Sequence, residues 1–232
     1  MNGGGRELPA WLWLWLPPCV IAATYAAAIV DPVFHRRWFS SEEGFLEWVT
    51  VILLVPAIGY GACCWRSRGR LRLPWVARWW LALTLVCIYF AGEEISWGQK
   101  IFHWETPTFI GALNDQNETN LHNISSWFDQ KPRLAFELWV LTAGVLIPAR
   151  RAMQGVTYTP TQWQGWFWPT GVCVPTAVLA LASMVPERIK DLFGLPPFPV
   201  EVRYSELQEF YFSLFLFLYL ASAWRRLRAA GR

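Results

Sequence analysis

A chain of 232 residues in which 54% are apolar and only 16% are charged falls well short of the roughly 25% charge of a soluble domain. A net charge of +3 gives no reason to expect a nucleic-acid partner. The five cysteines, Cys19, Cys63, Cys64, Cys87 and Cys173, lie in apolar stretches without the CxxC spacing of a zinc or redox motif, and so read as small packing residues.

The apolar runs predict an all-α, polytopic membrane bundle of six spans in one domain, at about 20 residues per span. The first covers 11–30. Its alanines at 22, 23 and 26–28 also resemble a signal-peptide cleavage region, but Arg6 is offset by Glu7 and the Trp-Leu repeat suits an interfacial anchor. The second covers 45–65, with Glu47 near its start. A basic loop, 66–78, leads to the third, 79–98, which ends in Gly92-Glu93-Glu94. A long polar loop, 99–133, precedes a short fourth span, 134–149. The fifth covers 166–185 and the sixth 207–224, the last opening with Glu206 and Glu209. Pro56, Pro148, Pro169 and Pro175 kink or end helices, which membrane helices tolerate when neighbours satisfy the freed carbonyls. The 17 tryptophans suit a protein with two membrane–water interfaces.

Charge sorts across these spans. Arg6, Arg66, Arg68, Arg70, Arg72, Arg78, Arg150, Arg151, Arg225, Arg226, Arg228 and Arg232 all fall on one side. Basic loops stay in the cytoplasm, so both termini are expected there, in a plasma or inner membrane. Of 17 acidic residues only Glu7 shares that side. Acids do little to set topology, so their gathering on the outer side needs another cause: solvated acidic loops, or a site.

Residues 92–123 read GEEISWGQKIFHWETPTFIGALNDQNETNLHN. Glu93 and Glu94 follow an unbroken apolar run, which places them at or inside the outer interface. Two adjacent carboxylates there are expensive unless paired, protonated or bound to a cation. They also stand at a helix C-terminal end, where acids are disfavoured. If the helix continues, Glu93, Ser96 and Lys100 share a stripe, making Lys100 a partner. Thr106-Pro107 opens a short helix through Leu113. A second helix over 117–128 sets Glu118 and His122 one turn apart, a spacing that can ligate one metal or form an acid–base pair. Asn114, Asp115, Gln116, Asn117, Asn120 and Asn123 add polar atoms, in a half-buried or re-entrant element over the outer leaflet.

Other acids carry plainer readings. Glu42, Glu43, Glu47, Glu206 and Glu209 all suit a helix start, where the dipole favours them. Glu137, Glu187, Asp191 and Glu201 are expected to be solvated or paired with Arg133, Arg188, Lys190 and Arg203. His35 and His103 read as interface residues. Asn117-Glu118-Thr119 and Asn123-Ile124-Ser125 match glycosylation sequons, a common pattern.

The strings GEEISWGQ and NxQxExNLHN, together with Glu-Gly-x-x-Glu-Trp at 43–48, resemble a group of bacterial integral membrane proteins without an assigned activity. The resemblance implies a class and a bacterial membrane, and no chemistry. Gly92-Glu93-Glu94-Ile95-x-Trp97 is also similar to the first motif of the glutamic intramembrane proteases that process prenylated proteins and bacteriocins. That family has Arg where this chain has Gly98, and Phe-x-x-x-His where it has Glu118-x-x-x-His122. It also has a later His, and none follows His122 here.

These residues point to a hydrolase or transferase acting on a membrane lipid or lipid-linked substrate in the outer leaflet. Glu93, Glu94 and His122 are the candidate catalytic groups. Glu94, Glu118, His122, Glu206 and Glu209 are candidate ligands of a divalent metal ion: zinc, manganese, iron or, with oxygens dominant, calcium. Gln99, Asn114, Gln116, Asn120 and Asn123 are candidates to orient substrate. Intramembrane carboxylates equally suit a proton- or cation-coupled transporter, and an acidic outer face suits a subunit that docks a partner. No feature sets an oligomeric state.

Overall fold

The computed structural model describes residues 8–39, 44–71, 73–108, 119–120, 126–159, 161–196 and 200–230, with the backbone alone for 126–129. Among the described residues there is helix and no strand. Six helical segments are long and apolar enough to cross a membrane: α1 (Trp11–Val30), α2 (Phe45–Arg66), α3 (Pro74–Glu94), α4 (Gln130–Gln154), α5 (Gln164–Phe193) and α6 (Tyr204–Ala230).

The bounds depart from expectation where local chemistry decides. Pro74 stands in the first turn of α3, where its missing N–H costs nothing, so α3 begins earlier than 79 and the basic loop is shorter. α3 stops at Glu94 rather than 98, because the backbone turns left-handed at Ser96, Trp97 and Gly98. α4 is longer than 134–149: helix already begins at Ser126 and continues through Pro132. Wide π-type turns occupy Trp11–Trp15 and Val140–Leu146. Each runs just ahead of proline, Pro17-Pro18 in one case and Pro148 in the other. A proline cannot donate back, and its ring pushes on the carbonyl four residues earlier, so the preceding turn opens.

α5 is broken. A turn at Gln164–Phe167 ends at Trp168, whose backbone is extended (ψ 140°), and helix resumes after Gly171–Cys173. Side chains of α6 satisfy carbonyls at the break. Tyr219 Oη donates to the Phe167 carbonyl at 2.6 Å, and the Arg226 guanidinium donates to that of Gly165.

α6 is the axis of the bundle. Residues buried inside the protein make up 83% of its apolar window, against 17% for α1. It packs along α2, α2 packs along α3, and α5 closes the other side against α6 and α4. Because lipid is as apolar as leucine, close approach holds such helices together, and two glycines permit it. A Cβ on Gly61 of α2 would lie 2.0 Å from Thr84 Oγ1 of α3. One on Gly144 of α4 would lie 2.4 Å from Ala177 Cβ of α5. Tyr211 Oη ties α6 to the Pro17 carbonyl of α1 at 2.8 Å.

The ends of the bundle differ in chemistry. At one end Arg226 lies over Trp166, and Trp75, Trp163 and Phe167 pack edge to face or tilted. The other end carries most of the carboxylates. There a short helix, Pro32–Trp38, capped by Asp31, buries His35 against Phe39, a residue expected at the interface. Burial holds the His35 imidazole below its ordinary 6.5; Arg36 adds to this and Glu201 opposes it.

Candidate functional site

The acidic end is organised by the turn after α3. Trp97, at φ +54°, folds its indole back over Gly92, where a side chain would have no room: a Cβ there would sit 2.9 Å from the ring. From that position Trp97 Nε1 donates to Glu93 Oε1 at 2.7 Å. Gly98 takes φ +102°, a conformation that glycine tolerates. The Gln99 side chain bridges the loop, donating to Thr106 Oγ1 at 2.9 Å and accepting from the Thr119 N–H at 2.6 Å. Asn120 reaches the buried Ser96 hydroxyl at 3.4 Å. Glycine, tryptophan, serine and glutamine of GEEISWGQ thus close a tight turn, which fixes where the two glutamates point.

Beside this turn α3 and α4 part. They meet edge to face at Trp79 and Trp139, with ring centroids 4.8 Å apart. Beyond that contact they form opposite walls of a cleft of about 910 Å³, floored by α6. Leu83, Val86 and Phe90 line it from α3, Phe136 from α4, and Phe212 and Leu216 from α6. Trp79 to Glu93 spans fourteen residues, or about 21 Å at 1.5 Å per residue. That exceeds one leaflet of a hydrocarbon core, about 15 Å.

The rim is charged. Glu47, Glu93, Glu94, Glu187, Asp191, Glu206 and Glu209 face Lys100, Arg133, Arg188 and Arg203, seven carboxylates against four cations. Most are paired. Lys100 holds Glu47, and Arg133 holds Glu209. Arg203 meets Glu206 at 3.1 Å. Lys190 approaches both Asp191, at 3.4 Å, and Glu187, at 3.8 Å. Just behind the rim Glu137, 8% exposed, accepts from Arg188 at 2.6 and 2.7 Å and from Gln208 at 2.7 Å. Glu94 differs. It is 9% exposed and lines the cleft, and no donor among the described residues reaches its carboxylate. The charges it senses most are those of Glu209, Glu206 and Glu47, with Lys100 the one cation among them.

The cleft therefore gathers four of the expected site residues, Glu93, Glu94, Glu206 and Glu209, together with Glu47. Lys100 is not the partner of Glu93 through a continued helix: α3 has ended, and Lys100 crosses to Glu47 of α2. Gln99 and Asn120 tie the loop together. The helix expected over 117–128 does not run unbroken, since Thr119 and Asn120 are not helical. Asn114, Gln116, Glu118, His122 and Asn123 lie outside the described residues, as do Glu42, Glu43 and 109–113 of the helix expected after Pro107. Glu201 faces Arg36, at 4.0 Å, while Arg203 serves Glu206. His103 is exposed, in left-handed backbone. Sequence reasoning missed the roles of Arg133, Arg203 and Trp97. The four-residue step from Glu93 to Trp97 was the one local signal.

A divalent metal finds limited support among these groups. No set of three or more His, Cys, Asp and Glu among the described residues stands ready to hold an ion, and Glu206 and Glu209 already face guanidinium groups. No known protein family matches the chain, and no curated protein or solved structure does.

Proposed function

We propose that the chain is a multi-pass protein of a bacterial inner membrane. Both termini are cytoplasmic, and the acidic end faces the extracytoplasmic side. There it acts as a hydrolase or transferase on a membrane lipid or lipid-linked molecule. The observation that carries this reading is the cleft. It is apolar over more than a leaflet's depth, and at its charged end stands Glu94, a buried carboxylate that accepts no hydrogen bond from any described residue. Acyl chains suit the slot between α3 and α4, and the headgroup then lies among the rim charges. Concave, mostly apolar sites with a few converging polar groups are the usual form of a small-molecule site.

In this reading Glu94 is the general base. Its carboxylate takes a proton from a water or acceptor hydroxyl as that oxygen attacks an ester or phosphoester centre. Arg133 and Lys100 stabilise negative charge on the reacting group, and the proton returns to the departing oxygen. Glu93, held by Trp97, positions the helix end. His122 remains a candidate acid.

The test is a purified sample given labelled ester and phosphoester lipids. Wild type is expected to release product, and Glu94→Gln to lose about 10²–10⁴-fold in rate, the size of a general-base contribution. Val86→Trp, which fills the slot, should lower retained lipid. Absence of both turnover and retained lipid refutes the reading. Cation-coupled uptake into liposomes, abolished in Glu94→Gln, would replace it with transport.

A further inference from the structure

We propose that the headgroup received at the rim carries a positively charged amine, and that one carboxylate oxygen of Glu94 accepts from it while the other is left for proton transfer. This rests on the reading that the cleft holds a lipid, and it deepens that reading by naming the substrate class.

Three observations converge. Carboxylates outnumber cations along the cleft, seven to four. The excess is not spread evenly, because the rim cations are already engaged: Lys100 with Glu47, Arg133 with Glu209, Arg203 with Glu206. Of the other four, Glu187 and Asp191 lie about Lys190 and Glu93 accepts from Trp97, which leaves Glu94. It is nine-tenths buried and open to the cleft, and no donor reaches it from any described residue. A buried carboxylate that no donor reaches is costly, and Lys100, the one cation whose charge bears on Glu94, is held by Glu47. Three other carboxylates bear on it, so the ligand that relieves the site is a cation.

The shape of the site favours an ammonium over a bare ion. An ammonium brings three N–H donors and a compact charge. The slot below Glu94 is apolar, so the molecule that fills both parts has a cationic head on a hydrocarbon tail. An aminophospholipid meets that description. Its phosphate, one short linker from the amine, stays at the charged rim, which Lys100, Arg133 and Arg203 share with Glu47, Glu209 and Glu206. The account it competes with is a Glu94 that carries its own proton and needs no cation, and that account predicts no preference among headgroups.

The experiment uses the full chain in vesicles of equal parts phosphatidylethanolamine and phosphatidylglycerol, moved briefly into detergent, with retained lipid quantified by mass spectrometry. Retention of phosphatidylethanolamine is expected to exceed that of phosphatidylglycerol about tenfold or more, the worth of one hydrogen bond to a charged group. N-acetylated phosphatidylethanolamine, which lacks the charge, should fall to the phosphatidylglycerol level. This arm needs no variant. Glu94→Gln should erase the preference while total lipid is kept. Equal retention of the two lipids overturns the amine and leaves a lipid cleft standing. No retained lipid of any class overturns the cleft reading and this one with it. Free ethanolamine at millimolar concentration displacing all the phosphatidylethanolamine would assign the site to a soluble amine and overturn the lipid headgroup.

Discussion

Gly92→Ala sets two effects of opposite sign against each other. Alanine is worth up to about 1 kcal/mol over glycine inside a helix, so an account based on propensity expects stabilisation in the last turn of α3. The structure says otherwise. The new Cβ would sit 2.9 Å from two atoms of the Trp97 ring and 3.1 Å from a third, where carbon–carbon contacts prefer about 3.5–4.0 Å. The indole must retreat by roughly 0.6–1 Å, which stretches its 2.7 Å bond to Glu93 past the length of a useful hydrogen bond. Losing a bond to a charged acceptor costs about 1.5–3 kcal/mol. Less the full propensity gain, the variant should be destabilised by about 0.5–2 kcal/mol. The assay is the unfolding midpoint in mixed detergent–SDS titrations, followed by far-ultraviolet circular dichroism. In a Trp97→Ala background the clash is gone, so the same Gly92→Ala change should stabilise by up to about 1 kcal/mol. That reversal of sign is the diagnostic. A stabilising Gly92→Ala in wild type would refute the claim that this glycine makes room for the indole.

Other expectations follow from single contacts. Tyr219→Phe leaves the Phe167 carbonyl at the break in α5 without its donor and should cost about 1–3 kcal/mol in the same titration. Gly61→Ala forces a Cβ onto Thr84 Oγ1 and should cost about 1–3 kcal/mol; Thr84→Ala should recover part of that loss, and a strictly additive pair would refute the close approach of α2 and α3. His35 is held below its ordinary 6.5 by burial, so the unfolded chain binds its proton first as pH falls. Stability from this residue is complete above about pH 6.5 and is lost as pH falls through the lower folded value. Between pH 7.5 and 5 the midpoint of wild type should therefore fall more than that of His35→Gln, and parallel curves would refute the assignment.

The membrane spans were legible because twenty apolar residues in a row have few other uses. Their ends were less so, because they hang on single residues. Pro74 starts α3 early, and the left-handed turn at Ser96 and Trp97 ends it early. Left-handed serine and tryptophan have no propensity signature, since only tertiary context holds them there. The gathering of Glu93, Glu94, Glu206 and Glu209 at one end was readable from the alternation of spans. The choice of partners was not. Lys100 reaches across 53 residues to Glu47, and Arg133 across 76 to Glu209, and helix rotation, which periodicity fixes poorly in an all-apolar segment, decides both. The break in α5 was visible in advance only as Pro169 and Pro175. That α6 would close it with a phenol and a guanidinium follows from three-dimensional placement alone.

The cleft is not a place where packing ran out. On one side α3 is drawn so close to α2 that Gly61 has no room for a methyl group, and α4 lies so close to α5 that Gly144 has none. On their facing sides the same two helices leave Leu83, Val86 and Phe136 lining an open cleft and meet edge to face at Trp79 and Trp139. In water such a slot would cost stability in proportion to its volume. In a bilayer, hydrocarbon chains would fill it at little cost, because they are as apolar as its walls. The walls therefore discriminate poorly among lipids that share the same tails. In the proposed lipid site discrimination falls to the rim, where no described residue donates to Glu94 beside pairs already made. A substitution among the wall residues should change how much lipid the protein keeps, and a substitution at Glu94 should change which lipid it keeps.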